Sequence, residues 1–185
     1  MKKCLLLLGF ISVSIFGFTQ EEDSDGGRFF FGGNFGLSFG DLTLINISPQ
    51  LGYRFSNFLA AGAGINGQYV SLKSRYSNGD PYSKSSRGVA GLNIFGRIYP
   101  LQQIMLQVQP EANYIFGKEI LYGNPNQEYK LDPSIVPSFL IGAGAVMPAG
   151  RGSFIASLFY DVLQDPKAPY GTRPFVNFSY NIGIR

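Results

Sequence analysis

The chain contains no histidine and no tryptophan among its 185 residues, and a single cysteine, Cys4. Lacking histidine, it has no side chain whose ordinary pKa suits proton transfer near neutral pH, nor the usual activator of a serine or cysteine nucleophile. Imidazole and thiolate metal ligands are missing too, so no metal or other cofactor is expected. Asp161 and Asp165 could be imagined as a carboxylate pair, but the first falls on a strand pattern and the second opens a loop. An enzyme is therefore not expected.

Charge of one sign is also scarce. The formal +3 comes from 15 Lys and Arg against 12 Asp and Glu. Lys2 and Lys3 belong to an export signal, and without them 13 basic residues face 12 acidic ones, a net of +1. No basic stretch is interleaved with aromatics, so nucleic acid is not an expected partner. Long apolar runs are missing as well. The longest, residues 4–18, is too short to span a bilayer as a helix but suits a signal-peptide core behind Met1-Lys2-Lys3. Gly17 and Thr19 place small residues for cleavage before Gln20. The expected organisation is a cleaved signal at 1–19, an acidic lead-in at 20–27 and one domain at 28–185. Cys4 stands at the start of the apolar run and leaves with it, so the mature chain would be free of thiol chemistry. The acids of the lead-in lack the spacing of a calcium loop.

What is abundant is glycine and aromatic carbon: 24 Gly, 17 Phe and 11 Tyr, at a mean hydropathy of only +0.06. Alternation explains the modest average, because strands with one apolar face dilute it with a polar one. At the C-terminus, Val176, Phe178, Tyr180, Ile182 and Ile184 alternate with Asn177, Ser179, Asn181 and Gly183. Similar alternation marks seven earlier segments, near 28–40, 43–55, 59–70, 89–99, 105–116, 135–147 and 153–163. Each is long enough for a tilted membrane strand. Tight turns are expected at 56–57, 100–103 and 149–152, and long polar loops at 71–87, 117–134 and 164–173. The hairpin at 40–41 is the one short connection on the long-loop side. Eight strands with short turns at one end and longer loops at the other predict an antiparallel up-and-down transmembrane β-barrel with both termini on the short-turn side. Two aromatic girdles are expected, Phe29, Tyr53, Phe55 and Tyr99 near the turns, and Tyr69, Tyr114, Phe116 and Tyr160 near the loops. Pro49, Pro110 and Pro137 fall within strands and are expected at bulges. The Gly62-Ala63-Gly64 and Gly142-Ala143-Gly144 runs are strand glycines, since no helix follows to receive a phosphate.

The opposite parity carries the polar residues. Arg54, Arg97, Glu111 and Asp161 are expected inside, where charges must be paired or hydrated. The expected cluster is Arg54–Glu111–Arg97 surrounded by Gln50, Gln68, Asn93, Gln107 and Gln109. It would fill the lumen and leave at most small ion conductance, because small barrels have side-chain-filled interiors. The 71–87 loop carries Lys73, Arg75, Lys84 and Arg87 against Asp80 alone. Such a basic patch would suit the phosphates of lipopolysaccharide. The 117–134 loop, with Tyr122, Tyr129, Asn124, Asn126 and Gln127, would suit adhesion.

On Ser48-Pro49-Gln50-Leu51-Gly52-Tyr53-Arg54-Phe55, Phe95-Gly96-Arg97-Ile98-Tyr99-Pro100, Phe159-Tyr160-Asp161-Val162-Leu163 and the alternating C-terminus, the chain resembles the small eight-stranded outer-membrane β-barrels. This is the porin-like class that includes the membrane domain of outer membrane protein A. The resemblance covers nearly all of the mature chain and is specific for architecture. It implies a location in the outer membrane of a Gram-negative envelope, a structural or surface-interaction role, contact with outer-membrane lipids and lipopolysaccharide, and insertion by the barrel-assembly machinery. Many members end in Phe, whereas this chain ends Ile184-Arg185 while keeping the apolar parity. The competing expectation is a secreted lipocalin-like carrier, which would need a polar exterior and an apolar interior.

Overall fold

The computed structural model describes residues 29–123 and 125–184; the expected signal peptide and acidic lead-in lie outside them. Eight strands follow in order: β1 Phe29–Ser38, β2 Leu42–Arg54, β3 Leu59–Arg75, β4 Pro81–Leu101, β5 Ile104–Leu121, β6 Gln127–Ala149, β7 Gly152–Asp161 and β8 Phe175–Ile184. Each pairs antiparallel with its sequence neighbours, and β1 pairs with β8, so the sheet closes into a barrel. No helix occurs among the described residues. Phe29 lies opposite Ile184, which puts both described ends at one mouth, beside the turns at 55–58, 102–103 and 150–151. We call this the turn end and the opposite mouth the loop end.

Side-chain parity follows the sequence pattern because a pleated strand sends successive residues to opposite faces. Phe31, Leu51, Ile65, Leu92, Ile94, Val108, Ile141, Leu158, Val176 and Ile182 are all exposed on the outer face. Gln50, Asn66, Asn93, Arg97, Gln107, Gln109, Glu111, Asn113, Ser157 and Asp161 are buried in the lumen. Lumen glycines make room for the rings. A Cβ on Gly52 would sit 2.1 Å from the Phe30 ring, and one on Gly142 2.4 Å from Phe159.

The wall is uneven. β1, β7 and β8 have 10 residues each, whereas β3 to β6 have 17, 21, 18 and 23. Two of the three expected long loops are therefore largely strand: within 71–87 the β3–β4 hairpin continues up to a turn at 76–80, and within 117–134 the β5–β6 hairpin continues up to the Leu121↔Gln127 pair. Polar residues alternate without an apolar face there, yet the ladder needs only backbone groups; Ser71, Ser83 and Ser86 are buried while most of the other side chains are half-buried or exposed. Among the described residues, only 162–174 is a long irregular connection.

Pro49, Pro110 and Pro137 are not at bulges. Register shifts occur at Ser74/Arg75, Ile98/Leu101 and Ile115/Gly117 instead. At Pro49 and Pro110 the ladder skips two residue pairs on one side, between Ile47↔Gly67 and Gln50↔Gly64 and between Asn93↔Glu111 and Gly96↔Val108, and resumes in the same register. A missing N–H removes a ladder bond without forcing an extra residue into the strand. Pro137 lies where β6 extends beyond β7, whose pairing begins only at Leu140↔Asp161. That is an edge position, where proline is tolerated.

Candidate functional site in the barrel lumen

Three layers fill the lumen. At the turn end, Phe30, Ala60, Phe95, Tyr99, Met105, Val146 and Ile155 pack into a buried apolar plug. Tyr99 was expected in the outer girdle, but it shares the inward parity of Asn93, Phe95 and Arg97 and joins this plug. The other girdle residues at this end do cluster outside, with Phe29 and Tyr53 rings 4.8 Å apart and Tyr53 and Phe55 5.1 Å apart.

Above the plug lies the polar layer. Arg97, 2% exposed, donates from Nε to Gln107 Oε1 and from Nη2 to Gln50 Oε1, each at 2.7 Å. Its guanidinium lies 4.3 Å from the Phe95 ring centre and 5.5 Å from that of Phe30. Gln107 Nε2 donates to Gln109 Oε1, and Gln109 Nε2 donates to Glu111 Oε1 at 2.6 Å. Gln107, Gln109 and Glu111 alternate along β5, so their side chains rise one above another on the lumen face. Two amides thus connect the buried cation to the buried anion, each oriented with oxygen toward Arg97 and nitrogen toward Glu111. Such aligned dipoles reinforce one another in a low-dielectric interior. A second chain reaches Glu111 from the side: Asn93 Nδ2 donates to Asn66 at 2.7 Å, Asn66 to Asn113 at 3.3 Å, and Asn113 to Glu111 Oε2 at 3.0 Å.

The expected Arg54–Glu111–Arg97 cluster does not form. The register puts Arg97 opposite Gln107 and Asn93 opposite Glu111, leaving the two charges four residues apart, or about 13 Å of strand. Arg54 is at the exposed turn-end mouth, 4.8 Å from the Tyr99 ring centre. Gln68 lines the lumen cavity without a side-chain hydrogen bond among the described residues. Asp161, 1% exposed, stands apart and accepts the backbone N–H groups of Phe139 at 3.0 Å and Leu163 at 3.1 Å. It ties the end of β7 to β6 where the connection to β8 departs.

That connection supplies the third layer, which the sequence reading missed by treating 164–173 as an external loop. Ala168 is buried against Val89, Ile115 and Val136. Tyr170 donates its hydroxyl to Glu111 Oε2 at 2.7 Å, and its ring stacks on Phe175 at 4.7 Å and 6°. Burial, and secondarily the Glu111 carboxylate, holds the Tyr170 phenol well above its ordinary pKa, so it stays protonated as a donor. The signal available in sequence was modest: Pro166, Pro169 and Pro174 stiffen a connection that also carries Ala168 and Tyr170.

The basic patch is not on a loop. Lys73 and Arg75 lie on β3, Lys84 and Arg87 on β4. Arg75 pairs with Asp41 at 2.9 Å and donates to the Gly79 carbonyl. Arg87 has the lumen parity and donates to the Lys167 carbonyl of the inward connection. Lys73 lies opposite Lys84, and Lys118 opposite Lys130. These four share the outward parity of Tyr69, Tyr114 and Phe116 and stand beyond them toward the loop end. No family model, curated protein or solved structure matches the chain.

Proposed function

We propose that the chain is a β-barrel of the Gram-negative outer membrane, with a plugged polar lumen and a structural or surface-interaction role. One observation carries this reading: all eight strands of a closed barrel expose large apolar side chains outward while amides and charges occupy the inside. A soluble monomer rarely exposes a contiguous apolar patch beyond a few hundred Å². The shorter strands, at 10 residues, match a tilted membrane crossing. Aromatic residues flank the belt at both ends, and the lysines opposite one another at 73 and 84 and at 118 and 130 lie just past the loop-end aromatics. That row would meet lipopolysaccharide phosphates if the loop end faces outward. A lipocalin-like carrier would need these two faces exchanged.

No catalytic role is assigned: Glu111 and Asp161 accept hydrogen bonds from fixed donors, and the sequence offers no histidine to set against a nucleophile. The deciding experiment is fractionation followed by electrophoresis of the outer-membrane fraction with and without boiling. A heat-dependent mobility shift in that fraction is expected. Recovery of the folded protein from the soluble periplasm, with no shift, would replace this reading with the carrier.

A further inference from the structure

The barrel wall is incomplete along one seam. The β1–β8 ladder runs from Phe29↔Ile184 to Asn34↔Ser179 and stops, although β1 continues to Ser38 and β8 begins at Phe175. Both free segments stay anchored on their other edges: Phe35, Gly36 and Leu37 pair with β2, and Phe175 to Phe178 pair with β7. The strands are in place, and only the bond between them is missing.

A cavity of about 350 Å³ lies behind this gap, lined on one lip by Phe35 and Gly36 and on the other by Val176, Asn177 and Phe178. Lips that contribute both outward rings and an inward amide place the cavity across the wall rather than wholly inside it. Outside, Phe35 (66% exposed), Val176 and Phe178 continue the apolar belt. Inside, Asn34, Gln68 and Asn177 line the cavity and make no side-chain hydrogen bond among the described residues. The deeper amides Gln50, Gln107 and Gln109 are all engaged. Each of these half-buried amides offers donors and an acceptor to a polar group entering the cavity. Arg97 lies at the cavity's inner wall.

We propose that the seam cavity binds a single-chain phospholipid. Its glycerophosphate head would enter the lumen among Asn34, Gln68 and Asn177, with Arg97 deeper on the same cavity wall, and its acyl chain would lie outside along Phe35, Val176 and Phe178. The volume is at the small end of ligand sites, enough for such a head. One slit with a single strand on each lip offers a groove for one chain. The proposal rests on the reading that the outer belt faces lipid.

The test is native mass spectrometry of the detergent-purified barrel with added lysophosphatidylglycerol, alongside the boiling assay on the same preparation. One bound lipid per barrel is expected. Gln68→Leu with Asn177→Leu should weaken binding at least tenfold while keeping the mobility shift. A disulfide closing the seam, from Phe35→Cys with Phe178→Cys in a Cys4→Ser background, should abolish binding until reduced. Should that disulfide not form, the leucine pair decides alone. Absence of bound lipid, or equal binding by wild type and the leucine pair, would overturn the seam site. A barrel that keeps its mobility shift in the outer-membrane fraction yet binds no lysolipid defeats only this site; loss of both shift and membrane fractionation defeats the membrane reading itself.

Discussion

At the residue scale, Glu111 is where the lumen's hydrogen bonds converge. It accepts from Gln109, Asn113 and Tyr170, and through two amides it answers the charge of Arg97. Hydrogen bonds to a charged group contribute about 1.5–3 kcal/mol each, and removing one partner leaves buried donors unsatisfied. Glu111→Ala should therefore destabilise the barrel by about 3 kcal/mol, read as a lower temperature of the mobility shift in detergent. An unchanged shift temperature would show that the relay has no energetic role. Tyr170 gives a prediction of opposite kind. Its phenol pKa is raised in the folded barrel, so the stability its bond supplies is fully present below the unfolded phenol value of about 10 and is lost as pH climbs through the raised value. A tyrosinate absorbance titration should show one phenol ionising after the others, and Tyr170→Phe should remove that late step. If the step persists in the variant, the phenol is not held by Glu111.

At the scale of elements, the tall side of the wall leaves β6 unpaired on one edge below residue 139, because β7 joins it only from Leu140. Open edges recruit foreign strands, and proline and charge are common defences. Pro133 and Pro137 lie on this edge, with Lys130 and Asp132 beside them. Pro133→Thr with Pro137→Thr should convert a monomer into cross-linkable oligomers, whereas a monomer unchanged on cross-linking would mean that the edge is protected by something else. The strands themselves were readable wherever one face meets the apolar belt, since alternation there is enforced by two different environments. Toward the loop end the segments carry polar residues on both faces, alternation lapses, and the tops of β3 to β6 read as loops. Parity also identified the lumen residues of β5. It could not give the register that separates Arg97 from Glu111, which depends on how tightly the 102–103 turn closes. The inward fold of 162–174 depends on Ala168 and Tyr170 finding partners on four other strands, and no local pattern encodes that.

For the whole molecule, the apolar plug and the inward connection close the lumen from both ends, with the amide layer between them. A planar-bilayer recording should show no steady open pore for wild type. Phe30→Ala with Phe95→Ala removes two plug rings whose centres are 6.2 Å apart and should introduce measurable ion current. Unchanged silence in the folded variant would place the barrier higher, at the Tyr170 layer. The short β1–β8 ladder also bears on how the barrel comes to exist. Every other ladder joins neighbours in sequence and can zip from a nearby reversal, but this one must unite the two extremities of the described chain through few backbone bonds. Closure entropy grows with chain length, and distant pairings slow folding. The final circularisation is thus the expected bottleneck of refolding, preceded by a curved open sheet with two bare edges. A circular permutant joining residue 184 to residue 29 and cut within 76–80 would turn that closure into a hairpin, and in refolding from urea it should reach the heat-shifted form faster than the natural order of strands.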